Sequence, residues 1–159
     1  MKGFGDLYKS HKKKNKKFTF STEQIINQAI QLQLKGNIRE AKKYYEQIIN
    51  QGSGNHIVFC NYGLILLNLG KSKDAEKWIR KAIELNPEFV EAHSILGNIL
   101  KDLGKWEDAE ISIRRAIELN PEFAIGHANL GGILIELGKL QEAELSTRKA
   151  IELNPEFAN

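Results

Sequence analysis

Few side chains in this sequence could do chemistry, and their spacing limits what they can do. His93 and His127 stand 34 residues apart, and His56 and Cys60 are separated by one helical turn. Imidazole nitrogens and a thiolate are ordinary ligands for a transition metal, but a closed structural site takes four donors. These are pairs, with no cluster of cysteines or carboxylates beside them, so neither a metal nor a cofactor is expected. Cys60 is the single cysteine. It has no neighbouring base to activate it, and it cannot form a disulfide within the chain. There is no glycine-rich phosphate loop and no Gly-x-Ser-x-Gly elbow. The expectation is that the chain is not an enzyme.

The remaining signal is charge. Lys12, Lys13, Lys14, Lys16 and Lys17 form a basic run near the start. Such a run attracts phosphates with a steep salt dependence, or an anionic membrane surface at about 1 kcal/mol per charge. Residues 1–17 carry seven lysines against Asp6, a net +6, so the other 142 residues carry −3 of the total +3. The basic character is therefore confined to the tail, and residues 1–20 read as a solvated, disordered segment. Binding of nucleic acid or a membrane surface through this tail is the rival to any reading of the rest.

The elements behind these residues recur with a fixed step. Gly36, Gly70, Gly104 and Gly138 are 34 apart, as are Ala41, Ala75, Ala109 and Ala143, and likewise Pro87, Pro121 and Pro155. A 34-residue period with small residues in fixed slots marks an array of helix pairs, each unable to bury its apolar face alone. The units are 22–55, 56–89, 90–123 and 124–157, within an array spanning 21–159. In the third unit Val90, Ala92, Leu96, Ile99, Leu100 and Leu103 form the stripe of one amphipathic helix. Gly104 ends it, and a second helix runs from about Trp106 to Leu119. Ser21 and Gln24 have the spacing of a capping box, with Phe20 and Ile25 placed as a hydrophobic staple. At each junction, as in Asn120-Pro121-Glu122, the asparagine is expected to cap the next helix and the proline to open it. The third and fourth units are identical at 20 of 34 positions, whereas Gly52-Ser53-Gly54 predicts a looser first junction. No apolar run approaches the ~20 residues that cross a bilayer, and the start lacks a signal-peptide core. With one cysteine, a cytoplasmic location is expected.

The slots resemble those of the tetratricopeptide repeat family. The small residue of the first helix appears as Ala29, Gly63, Gly97 and Gly131, the turn glycine as Gly36, Gly70, Gly104 and Gly138. The later small slot holds Ala82, Ala116 and Ala150, with Ile48 as the exception. Ile25, Phe59, His93 and His127 stand where the family often has tryptophan, which makes the two later histidines packing fillers rather than ligands. The lysine-rich start followed by near-identical units is similar to the N-terminal arrays of bacterial, cyanobacterial-type multi-repeat proteins. The resemblance implies an all-α, right-handed superhelical solenoid of four tetratricopeptide repeats.

It also implies a function: a non-catalytic scaffold that holds another protein or a peptide segment in a concave groove lined by the first helices. Carried over slot by slot, the groove residues are Asn27, Asn61, Leu64, Asn68, Ser94, Asn98, Lys101 and Asn129, with Cys60 among their neighbours. Asparagine suits this work because its amide offers both donors and an acceptor to an extended backbone. Asn98 and Asn129 have the spacing of the asparagine pair with which some members clamp a terminal carboxylate. Here Ser94 occupies the position of the clamp's lysine, and a carboxylate would be poorly compensated without a cation. Two further expectations concern the fourth unit, which ends in the same junction string as its predecessors. Its open face could support self-association, or the array could be the non-catalytic front of a larger enzyme such as a transferase.

Overall fold

The computed structural model describes residues 21–158. They form α1 (Thr22–Leu34), α2 (Ile38–Asn50), α3 (His56–Asn68), α4 (Ser72–Leu85), α5 (Val90–Asp102), α6 (Trp106–Leu119), α7 (Ala124–Glu136) and α8 (Leu140–Leu153), then a 3-10 turn at Pro155–Ala158. The lysine run and Phe20 lie outside the described residues. The helices pack as four hairpins, α1 on α2 through α7 on α8, and each hairpin docks on the next. The chain is an all-α helical repeat solenoid.

The local chemistry explains the hairpins. The Ser21 hydroxyl accepts from Gln24 N while Gln24 Oε1 accepts from Ser21 N, completing the capping box. Gly104 has φ +71°, its N–H bonds to the Lys101 carbonyl, and Lys105 N–H reaches back to the Leu100 carbonyl at 2.9 Å. This Schellman closure consumes carbonyls the ending helix would otherwise leave bare. The small slot in the first helix lets the paired helix approach. A Cβ on Gly97 would lie 2.5 Å from the Ile113 side chain and 3.3 Å from the Ala109 carbonyl. The core is accordingly continuous along the array, built from Tyr45, Ile48, Val58, Ile65, Ile79, Ile99, Leu100 and Ile113, all fully buried.

The junctions depart from expectation. Asn86, Asn120 and Asn154 end the helices before them, and their side chains accept from the backbone N–H two residues on, at 3.1–3.2 Å. The following helices start three residues after proline, at Val90 and Ala124. The Asx turn and the proline thus build a bend between helices and not the first turn of the next one. At the first junction, Asn55 does cap α3, accepting from Val58 N at 2.9 Å. There α2 meets α3 less extensively than α4 meets α5, in line with the looser junction expected from Gly52-Ser53-Gly54.

Charge ties successive units together on the outside. Glu76 holds Arg80 within α4 and Lys105 of the next unit, and Glu110 holds Arg114 and Lys139 in the same way, at 2.8–3.1 Å. Glu110 is nearly buried, with 7% of its surface exposed. The Lys139 hydrogen bond, followed by Arg114, holds its carboxyl below the usual range against the opposing effect of burial. A carboxylate whose pKa is lowered by folding contributes stability above its unfolded pKa, and that contribution disappears as pH falls through the folded value. Glu110→Gln should therefore destabilise the array by about 1.5 kcal/mol at pH 7. Urea midpoints of the two proteins should converge below pH 4; a gap unchanged at acid pH would contradict an ionic role.

Candidate partner-binding groove

The inner curve is made by the odd-numbered helices. α5 touches both α3 and α7, whereas the even-numbered helices stand further apart on the outside. The residues expected to line the groove divide into three groups. Asn27 and Asn68 are exposed, and Asn61, Leu64, Asn98, Lys101 and Asn129 are partly buried on α3, α5 and α7. Ser94 and Cys60 are deeper, at 6% and 4% exposure. Ile95, absent from the expected set, occupies the α5 slot equivalent to Asn61 and Asn129, so the asparagine row is interrupted by an apolar residue. The 34-residue step alone identifies it.

Each asparagine has its own environment. Asn61 lies beside the fully buried Tyr45, whose hydroxyl donates to Gln33 Oε1 at 3.1 Å; burial pushes that phenol up to about 12, with Asn61 acting in the opposite direction. Asn98 and Asn129 differ. The Oδ1 of Asn98 and the Nδ2 of Asn129 are buried atoms without a hydrogen-bond partner among the described residues. They sit on α5 and α7, which touch. Buried amide groups are nearly always paired, and an orphan costs about 1–3 kcal/mol. Both atoms are shielded from solvent, so they could meet a ligand only after the amides turn toward the inner face.

The other reactive candidates are accounted for by packing. Burial, with the charge of Glu91 adding to it, pushes the Cys60 thiol up to about 12, so it is protonated at neutral pH. The thiolate is the reactive form, and Cys60 should be inert to a thiol reagent in the folded chain and react stoichiometrically in urea. Rapid modification of the native protein would contradict this. His93 and His127 hydrogen-bond through Nε2 to the carbonyls of Pro87 and Pro121 at 2.9 and 3.0 Å, fastening the junction beneath them. His56 packs edge-on against Phe89. Among the described residues no three histidine, cysteine or acidic side chains gather as metal ligands, and no helix is long and apolar enough to cross a membrane.

Four helix hairpins stacked with their first helices along one inner face define a class, the helical repeat proteins that act as interaction scaffolds. The sequence comparisons narrow the class. A family described as the cilia and flagella-associated protein 70 middle TPR-like domain matches residues 27–130, and one described as the tetratricopeptide repeat matches 124–157. The chain belongs to the tetratricopeptide repeat family. No curated protein matches the sequence. Among solved structures, a crystal structure of MamA is 24% identical with a TM-score of 0.73, over 80% of this chain and 74% of that one. A MamA fragment from Desulfovibrio magneticus RS-1 is 19% identical with a TM-score of 0.77, over 86% and 77%. YrrB, described as a TPR protein with an unusual peptide-binding site, is 24% identical with a TM-score of 0.75, over 85% and 70%. At these identities the likeness is one of fold.

Proposed function

We propose that the chain is a non-catalytic scaffold that grips an extended peptide segment of a partner protein along the inner faces of α3, α5 and α7. The observation that carries this reading is the pair of orphaned amide atoms, Asn98 Oδ1 and Asn129 Nδ2, on neighbouring inner helices. With both amides turned toward the inner face, a peptide laid across them could donate an N–H to the first and present a carbonyl to the second, while Leu64 and Ile95 meet an apolar side chain. Lys101 adds one cation to this surface. Ser94 is small, buried and uncharged, which favours a main-chain ligand over a terminal carboxylate. The peptide-binding site named for YrrB lends the same reading support by fold alone.

The test is selection of peptides from a random library on the immobilised chain. It should be repeated on a deletion of residues 1–17 and on the Asn98→Ala/Asn129→Ala double variant. Peptides retained by the deletion and lost by the double variant support the groove. Ligands lost only with the tail would assign binding to the lysines and overturn the proposal.

A further inference from the structure

The outer face carries a second cleft, and the repeats themselves indicate what fits it. Stepping by 34 along the even-numbered helices places Tyr44, Trp78, Ser112 and Ser146 in one slot. On the first helices the matching slots hold Phe59, His93 and His127, and Tyr62, Leu96 and Leu130. In the second unit the set is filled. Trp78 stacks on Phe59 with centroids 5.4 Å apart and meets Tyr62 edge-on at 5.4 Å, while Lys81 Nζ sits 5.6 Å from the indole and 4.8 Å from Phe59. In the third unit the floor and the cation are kept as His93, Leu96 and Arg115, but the ring is gone, because Ser112 stands where Trp78 does.

What remains is an open groove of about 480 Å³ between α4 and α6, with His93, Leu96 and Ser112 in its lining and Ile83, Ile111 and Arg115 among its other residues. Two details mark it as a place for an apolar ring. The Ser112 hydroxyl is already committed, donating to the Asp108 carbonyl at 3.0 Å, so the polar groups left to the groove are His93 and the charged Arg80, Glu84, Arg115 and Glu118. The rim position also changes character. Beside Trp78 it is Lys77, whereas beside Ser112 it is Ile111, 68% exposed. An isoleucine facing water at the lip of an emptied aromatic slot is what a ring arriving from outside would cover. Among the described residues Arg115 is tied only to the exposed Glu118 at 3.0 Å, a surface pair weak enough to release the guanidinium onto a ring face.

We propose that this outer groove receives an aromatic side chain presented by a partner protein, seated at Ser112 as Trp78 is seated within the second unit. The site is separate from the inner groove, so the two can be tested apart.

The probe is N-acetyl-tryptophanamide, titrated into the intact chain and followed by amide NMR, with N-acetyl-leucinamide as the comparison. The tryptophan probe should shift His93, Leu96, Ile111 and Ser112 with millimolar affinity, and the leucine probe should bind at least five-fold more weakly. Ser112→Trp supplies the ring from within and should abolish those shifts while leaving inner-groove peptide binding unchanged. Arg115→Ala, a change at an exposed position, should fold normally and weaken the tryptophan probe about two- to five-fold by removing the cation. Absence of shifts at these residues, equal binding of the two probes, or undiminished binding to Arg115→Ala would each overturn the proposal.

Discussion

Replacing Asn98 and Asn129 together by alanine is expected to lower affinity for a groove-selected peptide roughly 5- to 150-fold without lowering the stability of the free chain. A hydrogen bond contributes about 1 ± 0.5 kcal/mol net. Two such bonds give about 1–3 kcal/mol between them and set that range, since about 1.4 kcal/mol is tenfold. The stability half is the more discriminating. Side chains that served packing would cost stability when truncated, but Asn98 Oδ1 and Asn129 Nδ2 are buried and have no hydrogen-bond partner among the described residues. Removing them relieves a desolvation cost, so the urea midpoint should hold or rise. If the two amides simply bonded to each other in solution, the double variant would lose stability and keep its affinity. Asn61→Ala should fall between these extremes, because that side chain is partly engaged beside Tyr45.

The second large effect concerns the core that shapes the groove. Ile113 is fully buried and lies against Gly97 at the crossing of α5 and α6. Ile113→Ala removes three methyl or methylene carbons from a buried site bounded on one side by the α5 backbone at Gly97, which cannot collapse freely into the space. The expected loss is about 3 kcal/mol. Thr147 occupies the same slot in the fourth unit and is exposed, so Thr147→Ala should change stability by less than about 0.5 kcal/mol. Gly97→Ala creates the opposite fault, a Cβ 2.5 Å from Ile113 Cδ1, with an expected cost of about 1–3 kcal/mol. Shortening the neighbour should recover part of it. In urea unfolding, Gly97→Ala/Ile113→Val should be more stable than the sum of its single changes predicts. Strict additivity would show that the two side chains do not share the space.

Some of this was legible in the residues and some was not, for physical reasons. Periodicity located the helices because Gly36, Gly70, Gly104 and Gly138 all require positive φ, and only glycine supplies it cheaply. The junction asparagines were legible as turn formers but not as to direction. An Asn-Pro-Glu string is compatible with capping either neighbour, and Asn120 closes α6 where it could have opened α7. The inner-groove slots were carried over from the tetratricopeptide resemblance, and neither it nor the 34-residue step gave burial. Cys60 and Ser94 share the inner face and are buried, because depth depends on how far α3 and α5 approach. That Asn98 Oδ1 and Asn129 Nδ2 have no partner among the described residues likewise needed three-dimensional placement, since the sequence alone cannot count partners. The empty slot at Ser112 was visible in the aligned units, but becomes informative only beside the filled slot at Trp78.

The central claim rests on the side-chain amides of Asn98 and Asn129, and their NH2 signals can be followed directly. The measurement is a 15N-edited NMR titration of the chain with a selected peptide. The account predicts that these two side-chain amide signals shift together with the backbone amides of Leu64, Ile95 and Lys101, saturating at a single affinity. Shifts confined to the lysine tail or to the outer helices, with the Asn98 and Asn129 signals unmoved at saturation, would contradict it.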